Sequence, residues 1–586
     1  MNGDDHARKN RAGASPQTIW ASVLIDGLVR AGVRRAVVSS GARSAALVIA
    51  AAEHESLHVT PVADERAAAF FALGQARATG SPTLLVCTSG TAGAHWYPAV
   101  IEAAASRVPL VAVTADRPPE SHGCGAPQTI DQTRLFGVHA RRSVELGMPR
   151  GDAEALRALH RKALGAVADS LHPIPGPVHL NAPFAEPLGP EPGAPDRESM
   201  ARAAAAVVGG PAPESRPPVV EPDRESYDRA VRLCREARRP VFLGGPAPVA
   251  AGDAWSSVER LARRLGAPIL AEGASQYRFT GEDHPLRFDG HDLFLAWEET
   301  AATLAPDLVL QFGAYPTSAA TRRWLAATGG ADRLVVAPLG RPDPPGGAAL
   351  FLHGAPERIA ARLLREMESV EPSVEEEWAG LFAAPNRRAL DEARRLAGGP
   401  VLSEARVART VTETLPDGAF LAVGNSNPIR TVDRYCPGST ARAPVLAQRG
   451  ANGIDGLVSA AAGAAVATGR PVTLLLGDLS FLHDLSGLAA AREATTPFAI
   501  VVVRNDGGRI FESHGLGSSK EAAPFLERYM IMPHGSDLAH AARLFDLPFH
   551  RAVSDDGLRE ALGAAAARRG ATVIEATIPP RAPKPF

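Results

Sequence analysis

Two apolar runs near the C-terminus each end in a glycine-flanked polar turn, and the distance between them constrains the fold more than any other feature. Val472–Leu476 is closed by Gly477-Asp478-Leu479-Ser480, and Phe498–Val503 by Asn505-Asp506-Gly507-Gly508. Apolar runs of that length fit strands buried on both faces, the kind found in parallel sheets covered by helices. Asp478 and Asn505 are 27 residues apart, the length of one strand–helix–strand crossover. Such a crossover brings a carboxylate and a carboxamide to one edge of the sheet, where open α/β sheets bind ligands. Two hard oxygen donors beside glycine-rich turns suit Mg2+ (or Mn2+) carrying a diphosphate.

A chain of 586 residues is too long for one core, and three domains are expected. Apolar residues make up 45% and mean hydropathy is −0.05, as in ordinary globular proteins. A net charge of −2 and a pI near 6.8 favour neither nucleic acid nor an anionic membrane as partner. The only lysines are Lys9, Lys162, Lys520 and Lys584, so positive charge is almost all arginine. Cys87, Cys124, Cys234 and Cys436 lie far apart, without metal-knuckle or disulfide spacing. Met1–Ser15 is polar and lacks the apolar stretch of a signal peptide, and no run reaches membrane-spanning length. A cytoplasmic location is expected.

The fold class is α/β, with three doubly wound parallel-sheet domains. Strands are expected at Arg35–Ser39, Leu57–Val62, Thr83–Cys87, Pro109–Thr114 and Pro177–Leu180, at Pro240–Leu243, Leu308–Phe312 and Leu334–Ala337, and at Phe420–Val423, Val472–Leu476, Phe498–Val503 and Thr572–Ala576. The expected divisions are a first domain over 1–188, a linker over 189–222 with a short helix at Ala201–Val208, a middle domain over 223–370, a linker over 371–400 and a last domain over 401–586. The first and last blocks show no shared sequence.

Each candidate residue has a plain structural alternative. Asp478 and Asn505 could be helix caps. The functional reading has them coordinate the cation, with Gly507 offering its carbonyl and a helix N-terminus adding donors. Glu65 opens an apolar helix, where a first-turn Glu favours the dipole. In an apolar pocket it would instead keep or share a proton. Thr88-Ser89-Gly90 is a strand-to-helix turn. Arg43, Arg117, Arg430 and Arg449 lie at strand ends or in glycine-rich loops. Four such arginines suggest a substrate with several carboxylates, which guanidinium binds in a bidentate fork.

Four stretches carry a resemblance: Thr114–Glu120 (TADRPPE), Asn181–Leu188 (NAPFAEPL), Arg449–Gly456 (RGANGIDG) and Gly477–Leu488 (GDLSFLHDLSGL). In this order, over nearly the whole chain, they resemble the 2-succinyl-5-enolpyruvyl-6-hydroxy-3-cyclohexene-1-carboxylate synthases, thiamin diphosphate enzymes of menaquinone biosynthesis. The resemblance implies a pyrimidine-binding, a middle and a diphosphate-binding domain, in a homodimer or dimer of dimers. Glu65 of one subunit would face Asp478 and Asn505 of the other. It implies thiamin diphosphate with Mg2+ (or Mn2+), held by Glu65, Thr88, Ser89, Gly90, Ile454, Gly477, Asp478, Leu479, Ser480, Asn505, Gly507 and Gly508. The substrates would be 2-oxoglutarate, held by Ser426, Arg430 and Arg449, and isochorismate, held by Arg43, Arg117 and Gln128. Ile510 and Phe511 would wall the reacting atoms, and Ile454 would bend the cofactor. Decarboxylation of 2-oxoglutarate would be followed by 1,4-addition of the succinyl carbanion equivalent to the ring.

The chain departs from the family's pattern at Ala42 (usually Ser), Pro127 (usually Asn), Ala319 (usually Lys) and Asp506 (usually Asn). The first three fall on the isochorismate side. They motivate a related C–C ligase or lyase with another acceptor. A non-catalytic binding protein is a second alternative, against which Glu65, Asp478 and Asn505 argue. An FAD-holding relative is a third, for which Gly244-Gly245-Pro246 is too ordinary a turn.

Overall fold

A computed structural model describes residues 15–189, 197–211, 218–399, 401–513 and 515–579. Expectations for Met1–Ala14, for Lys584 and for the linker residues 190–196, 212–217 and 400 lie outside the described residues.

Three parallel sheets are present. The first contains β1 Arg35–Ser39, β2 His58–Pro61, β3 Thr83–Cys87, β4 Leu110–Asp116, β5 Arg142–Glu145 and β6 Pro177–Pro183, in the order β2-β1-β3-β4-β6-β5. The second contains β7 Pro240–Gly244, β8 Ile269–Ala271, β9 Leu308–Phe312, β10 Asp332–Ala337 and β11 Leu350–His353, ordered β11-β10-β9-β7-β8. The third contains β12 Phe420–Val423, β13 Val445–Ala447, β14 Val472–Gly477, β15 Pro497–Arg504, β16 Phe549–Ala552 and β17 Gly570–Thr577, ordered β13-β12-β14-β15-β17-β16. Counted from its own first strand, the third sheet repeats the order of the first, a likeness the sequences hide.

The chain forms two compact units. The first runs to residue 218 and takes in 448–468 and 484–493. The second holds 219–447, 469–483 and the rest, with both later sheets. In the first unit, Leu84, Val111, Val178, Leu180 and Phe184 pack with Trp20 and Leu24 of helix Pro16–Arg30. The second sheet is covered on both faces: Phe242 and Leu310 point into one core, Val241, Leu243 and Val309 into the other.

Three expected boundaries are corrected. Within 189–222, helix Arg197–Val208 buries Met200 and Ala204 in the first core, so this part is no free linker. Within 371–400, helix Ala383–Ala397 and the buried Trp378 and Phe382 close one face of the second sheet. The charge run around Trp378 and Gly398-Gly399 hid that packing. Residues 448–468 and 484–493, expected in the last domain, belong to the first unit, because helices Leu457–Thr468 and Gly487–Ala491 lie against helix Glu65–Thr79. That approach depends on absent side chains. A Cβ on Gly74 would strike the Ala460 carbonyl, and one on Gly463 the Phe71 carbonyl.

Candidate active site

In the second unit, the carboxyl ends of β14 and β15 build one constellation. The strands pair with Gly477 opposite Val503, so Asp478 and Asn505 leave the same sheet edge. Asp478 is 1% exposed. Its Oδ1 accepts from the Leu479 N–H (2.7 Å) and its Oδ2 from the N–H groups of Asn505 and Gly507 (both 3.1 Å). Three backbone donors therefore fix the carboxylate, with acceptor capacity to spare. Gly507 has φ +127°, and a Cβ there would strike the Ile531 carbonyl, so only glycine permits this turn. The Gly508 N–H donates to Ile531 O (2.7 Å). Ser480 is buried and Leu479 half-buried. Gly477 has open space where a Cβ would stand.

Sequence reasoning missed His534 and Glu404 here and noted Asp506 only as a departure from the family's pattern. His534 accepts at Nδ1 from the Ser536 N–H (3.0 Å) and turns Nε2 toward Asp478 Oδ2, 3.3 Å away. Asp506 accepts at Oδ1 from the N–H groups of His534 (3.2 Å) and Gly535 (2.9 Å), and the Gly535 bond holds its carboxyl below the usual range. Glu404 accepts at Oε1 from the side-chain amides of Asn505 (2.8 Å) and Asn427 (3.2 Å). Burial pushes its carboxyl up. As a first-turn Glu after the Ser403 cap, it gave no signal beyond an ordinary helix start.

Among the described residues no group of three His, Cys, Asp or Glu side chains could hold a metal. A cation here therefore needs the Asn505 carboxamide, the Gly507 carbonyl and oxygens of a ligand. The oriented Asp478 carboxylate, this mixed donor set and the space beside Gly477 fit a metal diphosphate.

Ser426 has φ 72° and ψ −131°, a conformation costly for a non-glycine residue, just ahead of helix Asn427–Tyr435. One turn later, Arg430 donates to Ser426 O (2.5 Å). Desolvation, then the neighbouring Arg322 cation, lowers the Arg430 pKa. Ile510 and Phe511 lie on the 3-10 turn Arg509–Ser513, both half-buried.

In the first unit, the carboxyl ends of β1 to β4 carry the remaining candidates. Asp64 caps helix Glu65–Thr79 by accepting from the Ala67 N–H (3.1 Å), which sets half-buried Glu65 at its first position. Burial, then the Glu65 charge, raises the pKa of the Cys87 thiol at the end of β3. A Cβ on Gly41 would clash with Thr88, so the β1 and β3 turns touch. Ser89 is buried, and the Gly90 N–H donates to Oε1 of buried Gln132 (2.8 Å). Gln132 in turn donates to Asn181 Oδ1 (3.0 Å), and Asn181 donates to Asp116 Oδ2 (2.8 Å). This buried network holds the turns that bear Gly90 and Arg117.

Arg43 is 5% exposed and donates to Phe184 O (2.8 Å) and to Glu186 (2.9 Å). Burial, then Arg117, lowers its pKa, so two cations stand close. The Nε atoms of both are buried without a hydrogen bond. An anion would relieve both the repulsion and the unmet donors. Gln128 is exposed, with φ 52°. The Arg449–Gly456 loop is pinned by buried Glu102, which accepts from the N–H groups of Gly450 (3.1 Å) and Ala451 (2.6 Å) and from Arg77 (2.7 Å). Ile454 in that loop is half-buried.

Residues 20–135 match the family model "Thiamine pyrophosphate enzyme, N-terminal TPP binding domain", and residues 437–576 the corresponding C-terminal TPP binding domain. A solved structure from Mycobacterium smegmatis, one assigned to the thiamin diphosphate-dependent enzymes, shares the fold at a TM-score of 0.69 and 20% identity, over 95% of this chain and 99% of that one. Fold and domain models together define a thiamin diphosphate enzyme. Among curated relatives, the protein of Sorangium cellulosum is 46% identical over 97% of this chain and 94% of its own length. That of Myxococcus xanthus is 41% identical (94% and 92%), and that of Halobacterium salinarum 40% (95% and 95%). All three are named 2-succinyl-5-enolpyruvyl-6-hydroxy-3-cyclohexene-1-carboxylate synthase, and this chain belongs to that family.

Proposed function

We propose that the chain joins 2-oxoglutarate to isochorismate with loss of carbon dioxide, giving 2-succinyl-5-enolpyruvyl-6-hydroxy-3-cyclohexene-1-carboxylate. The observation that carries this reading is the Asp478 carboxylate, clamped by three backbone N–H groups beside Asn505, in a chain of this family. Asp478, Asn505 Oδ1 and the Gly507 carbonyl would hold Mg2+ (or Mn2+), and Gly477, Leu479, Ser480 and Gly508 would line the diphosphate. Bound thiamin diphosphate supplies the electron sink for decarboxylation. Glu65 of one subunit would hydrogen-bond the aminopyrimidine of a cofactor whose diphosphate is held by the other, with Thr88, Ser89 and Gly90 as the loop over that ring and Ile454 as the residue that would set the bend. Ser426, Arg430 and Arg449 bind the carboxylates of 2-oxoglutarate. Arg43 and Arg117, whose buried Nε donors are unmet, bind those of isochorismate, with Gln128. Ile510 and Phe511 would form an apolar wall that keeps water from the reacting atoms.

The proposal includes one domain per sheet at the bounds given above, less the corrected stretches. It also includes a homodimer or dimer of dimers and a cytoplasmic location. Among the described residues no helix is long and apolar enough to cross a membrane. The test is carbon dioxide release from 2-oxoglutarate with thiamin diphosphate and Mg2+, with and without isochorismate. Strong acceleration and a succinylated ring product support the reading. Slow release that isochorismate does not change supports a second reading, a ligase with another acceptor. That reading is favoured by Ala42, Ala319 and the exposed Gln128 that follows Pro127.

A further inference from the structure

We infer that Glu404 is a positioning residue that sets which atom of Asn505 faces the cation and ties that ligand to the Ser426 turn. The inference rests on the metal site proposed above.

A carboxamide presents two unlike ends, an acceptor oxygen and a donor NH2, and only the oxygen can ligate a cation. Nothing in the Asn505 backbone selects between them: its N–H is used on Asp478 Oδ2 (3.1 Å) and its carbonyl accepts from Arg509 Nε (3.1 Å). The selection comes from Glu404. A carboxylate oxygen only accepts, so the amide end facing Glu404 Oε1 at 2.8 Å is the NH2 group. The opposite end, Oδ1, is thereby presented for ligation. Without Glu404 both amide orientations become open to Asn505, and the wrong one turns a donor toward a cation.

The same Oε1 accepts from Asn427 Nδ2 (3.2 Å). Asn427 is the first residue of helix Asn427–Tyr435 and follows Ser426, whose backbone is held at φ 72°. A strained turn persists only where its surroundings over-determine it, and the Asn427 anchor is one such constraint. Arg430 closes the same turn from the other side by donating to Ser426 O. One carboxylate oxygen thus links a cation ligand to the turn that carries the proposed 2-oxoglutarate contacts. The helix Glu404–Glu413 that carries Glu404 is itself fixed by the Ser403 cap, which accepts from the Arg406 N–H (3.2 Å).

The experiment is Mn2+ titration of the full-length protein followed by electron paramagnetic resonance, with and without thiamin diphosphate, for the parent and for Glu404→Ala, Glu404→Gln and Glu404→Asp. Loss of an outer partner of a metal ligand weakens affinity by about 10–100-fold. Glu404→Ala and the too-short Glu404→Asp are expected to lose that much Mn2+ affinity in the presence of thiamin diphosphate. Glu404→Gln, which keeps an acceptor at the same reach but can also turn its own NH2 toward Asn505, is expected to fall between the parent and Glu404→Ala. The variants that lose Mn2+ should also raise KM for 2-oxoglutarate, while apo-protein melting temperatures stay equal. If Glu404→Ala does not fold, Glu404→Asp decides alone. Parent-like Mn2+ affinity in the alanine or aspartate variant overturns the inference and leaves the metal site standing. A parent that binds no Mn2+ with thiamin diphosphate overturns the metal site and the inference with it.

Discussion

At the residue scale, the proposed chemistry depends on groups held in place before any ligand arrives. Asp478 spends its hydrogen bonds on backbone donors, so its oxygens keep their direction without an entropic cost at binding. Asp478→Ala is expected to abolish Mg2+-dependent binding of thiamin diphosphate by calorimetry, while the far-ultraviolet dichroism stays unchanged. Arg43→Lys removes the guanidinium fork and keeps the charge. We expect a fall of about 10–100-fold in kcat/KM for isochorismate, the cost of one or two charged hydrogen bonds, with little change in KM for 2-oxoglutarate. Asp478 and Asn505 were legible because they end apolar runs at crossover spacing. Arg43 and Arg117 were legible as arginines at strand ends, but their proximity was not. Glu404 and Glu102 were illegible because each reads locally as an ordinary helix residue, and only the distant groups they bond, Asn505 and Gly450, reveal them.

The elements divide along a physical line between sheet interior and sheet edge. All the inner strands, such as β3, β9 and β15, were expected from their continuous apolar runs. The five strands not expected are β5, β8, β11, β13 and β16, and each lies at the edge of its sheet. Edge strands pair on one side only and are shorter or partly exposed, as in Arg142–Glu145, so their composition carries little of the buried-strand signature. The Gly74–Ala460 contact tests element packing. Gly74→Ala is expected to destabilise the fold by about 1–3 kcal/mol through overpacking. Gly165→Ala, in a helix with open space at that position, is expected to stabilise it by about 0.5–1 kcal/mol. Urea denaturation midpoints distinguish the two.

For the whole molecule, acid is the expected weakness. Burial pushes His179 down to about 4 from an ordinary 6.5, and its Nε2 shares a hydrogen bond with Thr114 Oγ1 (2.8 Å). Buried His291 is shifted the same way, by burial and then Arg278. The unfolded chain takes up these protons near pH 6.5 and the folded chain does not. Stability is therefore full above pH 6.5 and is lost as pH falls toward 4, by about 3 kcal/mol for His179 across that window. The urea midpoint should drop between pH 7 and pH 5, and His179→Gln should flatten that drop. A parent midpoint that rises on acidification would contradict this account.

The sequence by itself determined the parallel α/β class, the inner strands and the polar turns at their carboxyl ends, because burial on both faces and crossover length are written in local composition and spacing. Only the tertiary structure decided five of the six edge strands, the repeated strand order of the first and third sheets and the placement of 448–468 and 484–493 in the first unit. It alone set the hydrogen bonds that aim Asp478, Asn505 and the Arg449 loop. These depend on contacts between residues far apart in the chain, whose partners no local pattern records.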